Sequence, residues 1–85
     1  MHIEATATFI RLYKKLPTDV QQRAKKVLIL LAEDPFHPSL GHKKMAGLSN
    51  IYELRVTDNY RITYQKNAGT AYLRKIGTHD LLRTP

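Results

Sequence analysis

The sequence predicts an α+β fold: two N-terminal helices packed on one face of a small, mainly antiparallel sheet, in the order β-α-α-β-β-β. Three observations predict it. Apolar residues recur at helical spacing through residues 20–31 and at strand spacing through residues 51–64. Between these segments Asp34-Pro35 forces a break, because the residue before a proline avoids the α conformation. With 85 residues, 42% of them hydrophobic, there is material for one core and none for a second, so residues 1–85 form a single domain.

The elements follow in order. Ile3 to Ala5 reads as a short strand, and Thr6 as the cap of a helix over about residues 7–15, with Phe9, Ile10 and Tyr13 on its apolar side. Leu16-Pro17 ends that helix. Thr18-Asp19-Val20-Gln21 has the spacing of a capping box, and Val20, Ala24, Val27, Leu28 and Leu31 then form one apolar stripe. The Lys and Arg residues of both helices read as an ordinary solvated face. From Pro35 to Asn50 the pattern is that of a loop, with Gly41, Gly47 and the run His42-Lys43-Lys44. Tyr52, Leu54 and Val56 then alternate with polar neighbours, as do Tyr60, Ile62 and Tyr64, and a third strand runs from about Ala71 to Ile76.

The loop between the first two of these strands decides which residues share a face. A two-residue loop would pair Val56 with Arg61. A three-residue loop, Thr57-Asp58-Asn59, pairs Val56 with Tyr60, Leu54 with Ile62 and Tyr52 with Tyr64, which gives one apolar face. Asn59 would supply the left-handed residue of such a loop. In this register Arg55 lies across from Arg61 on the face away from the helices. Like charges so placed destabilise a sheet by about 0.2–1 kcal/mol, and Glu53, diagonal to Arg61, relieves part of this. Two readings stand: a surface Arg–Glu–Arg cluster, or a preorganised site where guanidiniums grip phosphate. A five-residue loop at Lys66–Thr70 would set Lys75 beside Arg61 on that face, with His79 following; it would also leave Arg74 on the apolar side and Leu73 off it.

Charge points the same way. Fourteen Lys and Arg against seven Asp and Glu give a formal +7, a balance that favours polyanions. Residues 43–85 hold eight of the basic residues and three of the acidic ones, so the polyanion site is expected in the second half. The chain has no cysteine, which excludes disulfides and thiolate metal sites and suits a reducing cytoplasm. No secretory signal is read at Met1-His2-Ile3-Glu4, and the longest apolar run, Val27 to Ala32, is too short to span a bilayer. The carboxylates are scattered and the four histidines lack ligand spacing, so no metal and no cofactor is expected. Two arginines, a lysine and a histidine are a set suited to RNA cleavage. Cations stabilise the extra negative charge of the transition state, and a histidine moves a proton near neutrality.

Four strings resemble the RelE/ParE toxin superfamily of type II toxin–antitoxin systems: Tyr13-Lys14-Lys15-Leu16-Pro17; His37-Pro38-Ser39-Leu40 with Lys43-Lys44 and Gly47; Tyr52-Glu53-Leu54-Arg55-Val56 with Tyr60-Arg61-Ile62-Thr63-Tyr64; and Ile76-Gly77-Thr78-His79-Asp80. Their joint order covers nearly the whole chain. The resemblance implies a RelE-like fold and an mRNA interferase, a metal-independent endoribonuclease that enters the ribosomal A site, cuts mRNA by 2′-OH attack and so inhibits translation. It also implies a cognate acidic antitoxin, contact with operator DNA only through the toxin–antitoxin complex, a cytoplasmic location and no membrane partner. Position by position, Arg61 resembles the arginine that stabilises the scissile phosphate. Arg55 falls where relatives carry a cleavage-site Lys, Arg or His. His79 and His37 resemble YafQ-type histidines, and Lys43 and Lys44 resemble residues that hold RNA backbone. Glu53 stands where RelE has a catalytic lysine, and the chain stops at Pro85 without RelE's C-terminal helix and tyrosine. Both departures favour a histidine-based mechanism or binding without cleavage. Two alternatives therefore stay open: a ParE-like toxin that inhibits DNA gyrase and cuts nothing, and a catalytically inactive RNA-binding relative.

Overall fold

The computed structural model describes all residues, 1–85. Strand β1 (His2–Ala5) is followed by helices α1 (Ala7–Lys14) and α2 (Thr18–Glu33), then by strands β2 (Lys43–Lys44), β3 (Ile51–Arg55), β4 (Tyr60–Asn67) and β5 (Thr70–Thr78). The sheet order is β1-β5-β4-β3-β2. All neighbours are antiparallel except β1 and β5, which pair in parallel with Ile3 opposite Ala71. No helix is long and apolar enough to cross a membrane. The fold class is the one expected, with one strand added: β2, two residues long, pairs Lys43 with Glu53 and Lys44 with Tyr52 at the sheet edge.

Thr6 caps α1 as its sequence position suggests. Its hydroxyl oxygen accepts from the Phe9 N–H at 3.2 Å and its O–H donates to the Leu73 carbonyl at 2.7 Å, which fastens the helix start to β5. The capping box at Thr18 does not form. Pro17 takes the cap position without a side-chain bond, so Thr18 is already helical. The Gln21 side-chain amide instead donates to the Tyr13 carbonyl at 2.9 Å, and the Tyr13 hydroxyl donates to the Gln21 carbonyl at 3.2 Å. These two bonds lock the α1–α2 turn. Val20, Ala24 and Leu31 of the α2 stripe are buried, and Val27 and Leu28 pack partly buried against the core.

The core lies between the helices and one sheet face. Leu31, Leu40, Leu54, Ile62, Tyr64 and Ala71 are fully enclosed, with Leu73 and Ile76 nearly so. Leu73 and Ile76 sit three apart on one strand yet share a face. A β-bulge makes this possible: Thr63 pairs with Lys75 but Tyr64 pairs with Leu73, so Arg74 is the extra residue and side-chain parity reverses across it. The expected loop at Lys66–Thr70 is correspondingly shorter. Asn67 pairs with Thr70 across a two-residue turn, Ala68 (φ 50°) and Gly69 (φ 80°), whose left-handed pair matches the strand twist.

The opposite sheet face is half covered. After β5 a short tight helix, His79–Arg83, folds back, and Leu81 lies over Gly77 at van der Waals distance. Pro85 reaches Thr63, whose hydroxyl donates to the Pro85 main-chain oxygen at 3.2 Å. Thr63 is thereby the one fully buried polar residue. On the β3 side of this face Ile51 is buried and Glu53 half-buried, and only the Arg55 end stays open.

Candidate functional site

The β3–β4 hairpin has the register read from its alternation. Arg55 pairs with Arg61, Leu54 with Ile62 and Tyr52 with Tyr64. The loop has three residues, closed by the Val56 N–H donating to the Tyr60 carbonyl at 3.0 Å. Asn59 does not adopt the left-handed conformation expected of it. The Thr57 hydroxyl oxygen holds the turn, accepting from the N–H groups of Asn59 (3.2 Å) and Tyr60 (3.1 Å).

Arg61 is itself part of the loop. Its Nη1 donates to the carbonyls of Thr57 (2.6 Å), Asp58 (3.1 Å) and Tyr60 (3.1 Å). Nε and Nη2 have no partner within the protein. Arg55 is exposed, and Gly41 lies against it: a Cβ on Gly41 would stand 3.1 Å from the Arg55 Cβ. With φ at 54°, Gly41 combines a left-handed turn with the space this arginine needs. The like charges are thus not stacked face to face. One guanidinium caps loop carbonyls and the other is free.

His79 is exposed, and its main-chain N–H donates to the Asn59 carbonyl at 3.0 Å. This bond sets His79 at the same end of the sheet as the Arg61 hairpin. With Asn59, Tyr60, Thr78 and Asp80 it lines a concavity of about 360 Å³. His37 lies elsewhere, before a tight turn over Pro38–Leu40, and its Nδ1 accepts from the Ser39 N–H at 3.1 Å.

The remaining candidates divide. Lys43, paired with Glu53, shares the open face, whereas Lys44, paired with Tyr52, falls on the helix side. Lys75 is opposite Thr63, and Gly77 rather than Lys75 faces Arg61; the two-residue turn and the bulge produce this shift. The Lys75 ammonium donates to the Thr84 carbonyl at 2.5 Å, and Arg74 Nε donates to the Pro85 main-chain oxygen at 3.1 Å, so the tail occupies both cations. Glu53 Oε2 is shielded from solvent and has no hydrogen-bond partner. An orphan of this kind costs about 1–3 kcal/mol. Glu53→Met is therefore expected to raise the midpoint of thermal unfolding by several degrees, at about 4–8 °C per kcal/mol for a domain of this size. A fall in Tm would show that the oxygen is partnered in solution. No three His, Asp or Glu side chains lie together in a way that could hold a metal ion.

One constellation had no signal in the sequence. His42 Nδ1–H donates to the Pro35 carbonyl at 3.1 Å, and its Nε2 accepts from the Tyr64 hydroxyl. Tyr52 stacks on Tyr64 with ring centroids 5.3 Å apart. The segment between α2 and β2 is therefore pinned to the sheet through one imidazole. Burial, and secondarily Tyr52, push the Tyr64 hydroxyl above the ordinary tyrosine range. The raised value means that folding favours the neutral phenol. That stability is complete below about pH 10, where unfolded tyrosine ionises, and is lost as pH rises beyond it. Wild-type Tm should fall through this alkaline range, and Tyr64→Phe should flatten the fall while lowering Tm at neutral pH. Equal alkaline slopes in the two proteins would refute this.

The sheet order, the two packed helices and the basic open face define a RelE-type toxin fold, and solved structures agree. A chain of the RelB-RelE antitoxin-toxin complex from Methanococcus jannaschii superposes with a TM-score of 0.79 at 24% identity, covering 95% of this chain and 98% of that one. The intact RelBE toxin-antitoxin complex of E. coli gives 0.74 at 20% identity, covering 91% and 94%. YafQ from E. coli strain BL21(DE3) gives 0.75 at 15% identity, covering 94% of each chain. No curated protein matches the chain in sequence. The family model for the ParE-like toxin domain matches residues 18–80, and the chain belongs to this family, within the RelE/ParE toxin superfamily.

Proposed function

We propose that this protein is the toxin of a type II toxin–antitoxin pair and acts as a ribosome-dependent mRNA endoribonuclease. The observation that carries this reading is the open hairpin end of the outer sheet face. There Arg55 and Arg61 are cross-strand partners and the His79 backbone is tied to the same hairpin. No Lys or Arg lies within ion-pair distance of an Asp or Glu.

In the reaction, the ribose O2′ loses its proton and attacks the adjacent phosphorus. The P–O5′ bond breaks, and O5′ takes up a proton, leaving a 2′,3′-cyclic phosphate and a 5′-hydroxyl. Arg61, through Nε and Nη2, and Arg55 would hold the phosphate oxygens as charge builds. His79, with both ring nitrogens free, is the better proton carrier. His37 is more constrained, because a proton on Nδ1 would end its bond from Ser39; it is left to donate from Nε2. Lys43 would hold adjoining backbone, and Glu53, with Oε2 shielded from solvent, would meet a substrate donor through Oε1. The site is shallow, and substrate positioning, a large share of rate, is left to the ribosomal A site.

The partner that silences it would be a small acidic antitoxin, as the complexes formed by the RelE and YafQ neighbours suggest, with operator DNA met only through that complex. The second reading, inhibition of DNA gyrase, is the less favoured one, because the solved neighbours include RelE and YafQ toxins. The two separate in paired assays: mRNA cleavage on translating ribosomes, and supercoiling by gyrase. Cleaved message with unimpaired supercoiling is expected; intact message with blocked supercoiling would overturn the nuclease reading.

A further inference from the structure

Arg55 borders more than the open sheet face. β2 stops pairing at Glu53, and beyond it the sheet edge and α2 enclose a cleft of about 510 Å³. Arg23, Lys26, Arg55 and Ser39 stand around it, Asp58 is its only carboxylate, and its remaining walls are aliphatic apart from Thr57. A second concavity of about 430 Å³ shares Arg23, Lys26 and Thr57 and continues along α2. Arg23 and Lys26 are three residues apart, so they project from the same side of the helix. Neither lies within ion-pair distance of an acid. Across the two concavities three unpaired cations stand against two carboxylates, Asp58 and Asp19, and the exposed groove keeps a positive excess suited to an extended anion.

The chemistry of the lining narrows the ligand. No aromatic ring borders either concavity, so bases have nothing to stack on. Guanidinium and ammonium groups bind phosphate oxygens without regard to sequence. Arg55 belongs both to this cleft and to the hairpin pair with Arg61. A strand held at Arg61 can therefore pass over Arg55 into the groove without leaving positive surface.

We propose that the groove between α2 and the β3–β4 hairpin is a second RNA site, in which Arg23 and Lys26 bind backbone phosphates of single-stranded RNA beyond the phosphate held at Arg61. This rests on the RNA reading above and adds a sequence-independent subsite to it. Both residues are exposed on a helix, and glutamine preserves helix propensity there, so R23Q/K26Q should fold.

The test uses a fluorescein-labelled 2′-O-methyl RNA of roughly 12 nucleotides, which lacks the attacking hydroxyl, with binding followed by anisotropy across salt. Two lost phosphate contacts should flatten the slope of log K against log salt by about 1.4 and weaken binding ~20-fold near 0.1 M salt. The single variants R23Q and K26Q should each give about half that change in slope. K14Q/K15Q removes the same charge from α1 and should bind as wild type. Wild-type binding by R23Q/K26Q, or an equal loss in K14Q/K15Q, would overturn the proposal. So would a polyglutamate peptide that binds more tightly than the RNA and depends on Arg23 and Lys26. Wild-type cleavage on ribosomes, measured alongside, separates the two levels. If message is cut while R23Q/K26Q binds normally, only the subsite fails. If wild type neither binds nor cuts, both fail.

Discussion

Changing His79 to alanine is expected to slow message cleavage on translating ribosomes by about 10²–10⁴-fold, the usual contribution of a positioned proton-transfer group, with the fold unchanged. The expectation rests on placement. The link between His79 and the hairpin is a main-chain bond to Asn59, and alanine keeps it. The imidazole is exposed and supports nothing else, and surface changes of that kind shift stability by no more than about 0.5 kcal/mol. Loss of cleavage at constant Tm would therefore report on chemistry. Primer extension on ribosome-bound message, over a pH series, is the measurement. If His79 carries the proton, the wild-type rate should depend on pH, and H79A should lose that dependence along with the rate. If H79A cuts at the wild-type rate, the proton carrier is another group, and H37A becomes the next variant to measure.

How far the sequence reveals this site depends on the kind of signal each part leaves. The hairpin was legible because Tyr52, Leu54 and Val56 and then Tyr60, Ile62 and Tyr64 alternate, and one register alone keeps their apolar sides together. The β5 register was not, because a bulge shifts parity by a single residue, and the misplaced Arg74 and Leu73 of the unbulged register signal a fault without locating it. The odd spacing of buried Leu73 and Ile76 is the other trace of it. The two residues of β2 are lysines with no apolar period, so that edge strand reads as loop. The failed cap at Thr18 has a local cause: Pro17, with fixed φ, starts the helix one residue earlier, and the Tyr13 carbonyl competes for the Gln21 amide.

Side chains that act across the fold are harder still. Arg23 and Lys26 look like any solvated lysine and arginine on a helix until the hairpin is folded against them. A three-residue spacing of cations, with Asp19 one turn before Arg23 as the nearby acid of that face, was the available signal. His42 lies in a loop of glycine, proline and lysine, and only the tertiary fold brings its ring to Tyr64. Arg61 was legible as a cation on the open face, yet its hold on the loop carbonyls was not, since alternation fixes a face and says nothing of where a long side chain ends.

That hold makes Arg61 the other position where a large effect is expected. Arg61→Gln should lower cleavage by about 10²–10³-fold, the range for losing one electrostatic stabiliser of a transition state. It should also destabilise the protein by about 1.5–3 kcal/mol, because carbonyl bonds to a charged donor are lost. Arg61→Lys separates the two effects. An ammonium can bond the Thr57 and Asp58 carbonyls and restore much of the stability, but it cannot do so and present a planar fork to phosphate at once. Its urea midpoint should therefore approach wild type while its cleavage stays near that of the glutamine variant. Full cleavage by Arg61→Lys would make this residue a loop pin and nothing more, and an unchanged midpoint in Arg61→Gln would mean the carbonyl cap does not form in solution. The physical point is preorganisation. Nη1, held by three carbonyls, fixes the guanidinium plane before substrate arrives. The rotamer entropy is then lost in folding rather than in binding, and Nε and Nη2 meet the phosphate already aimed.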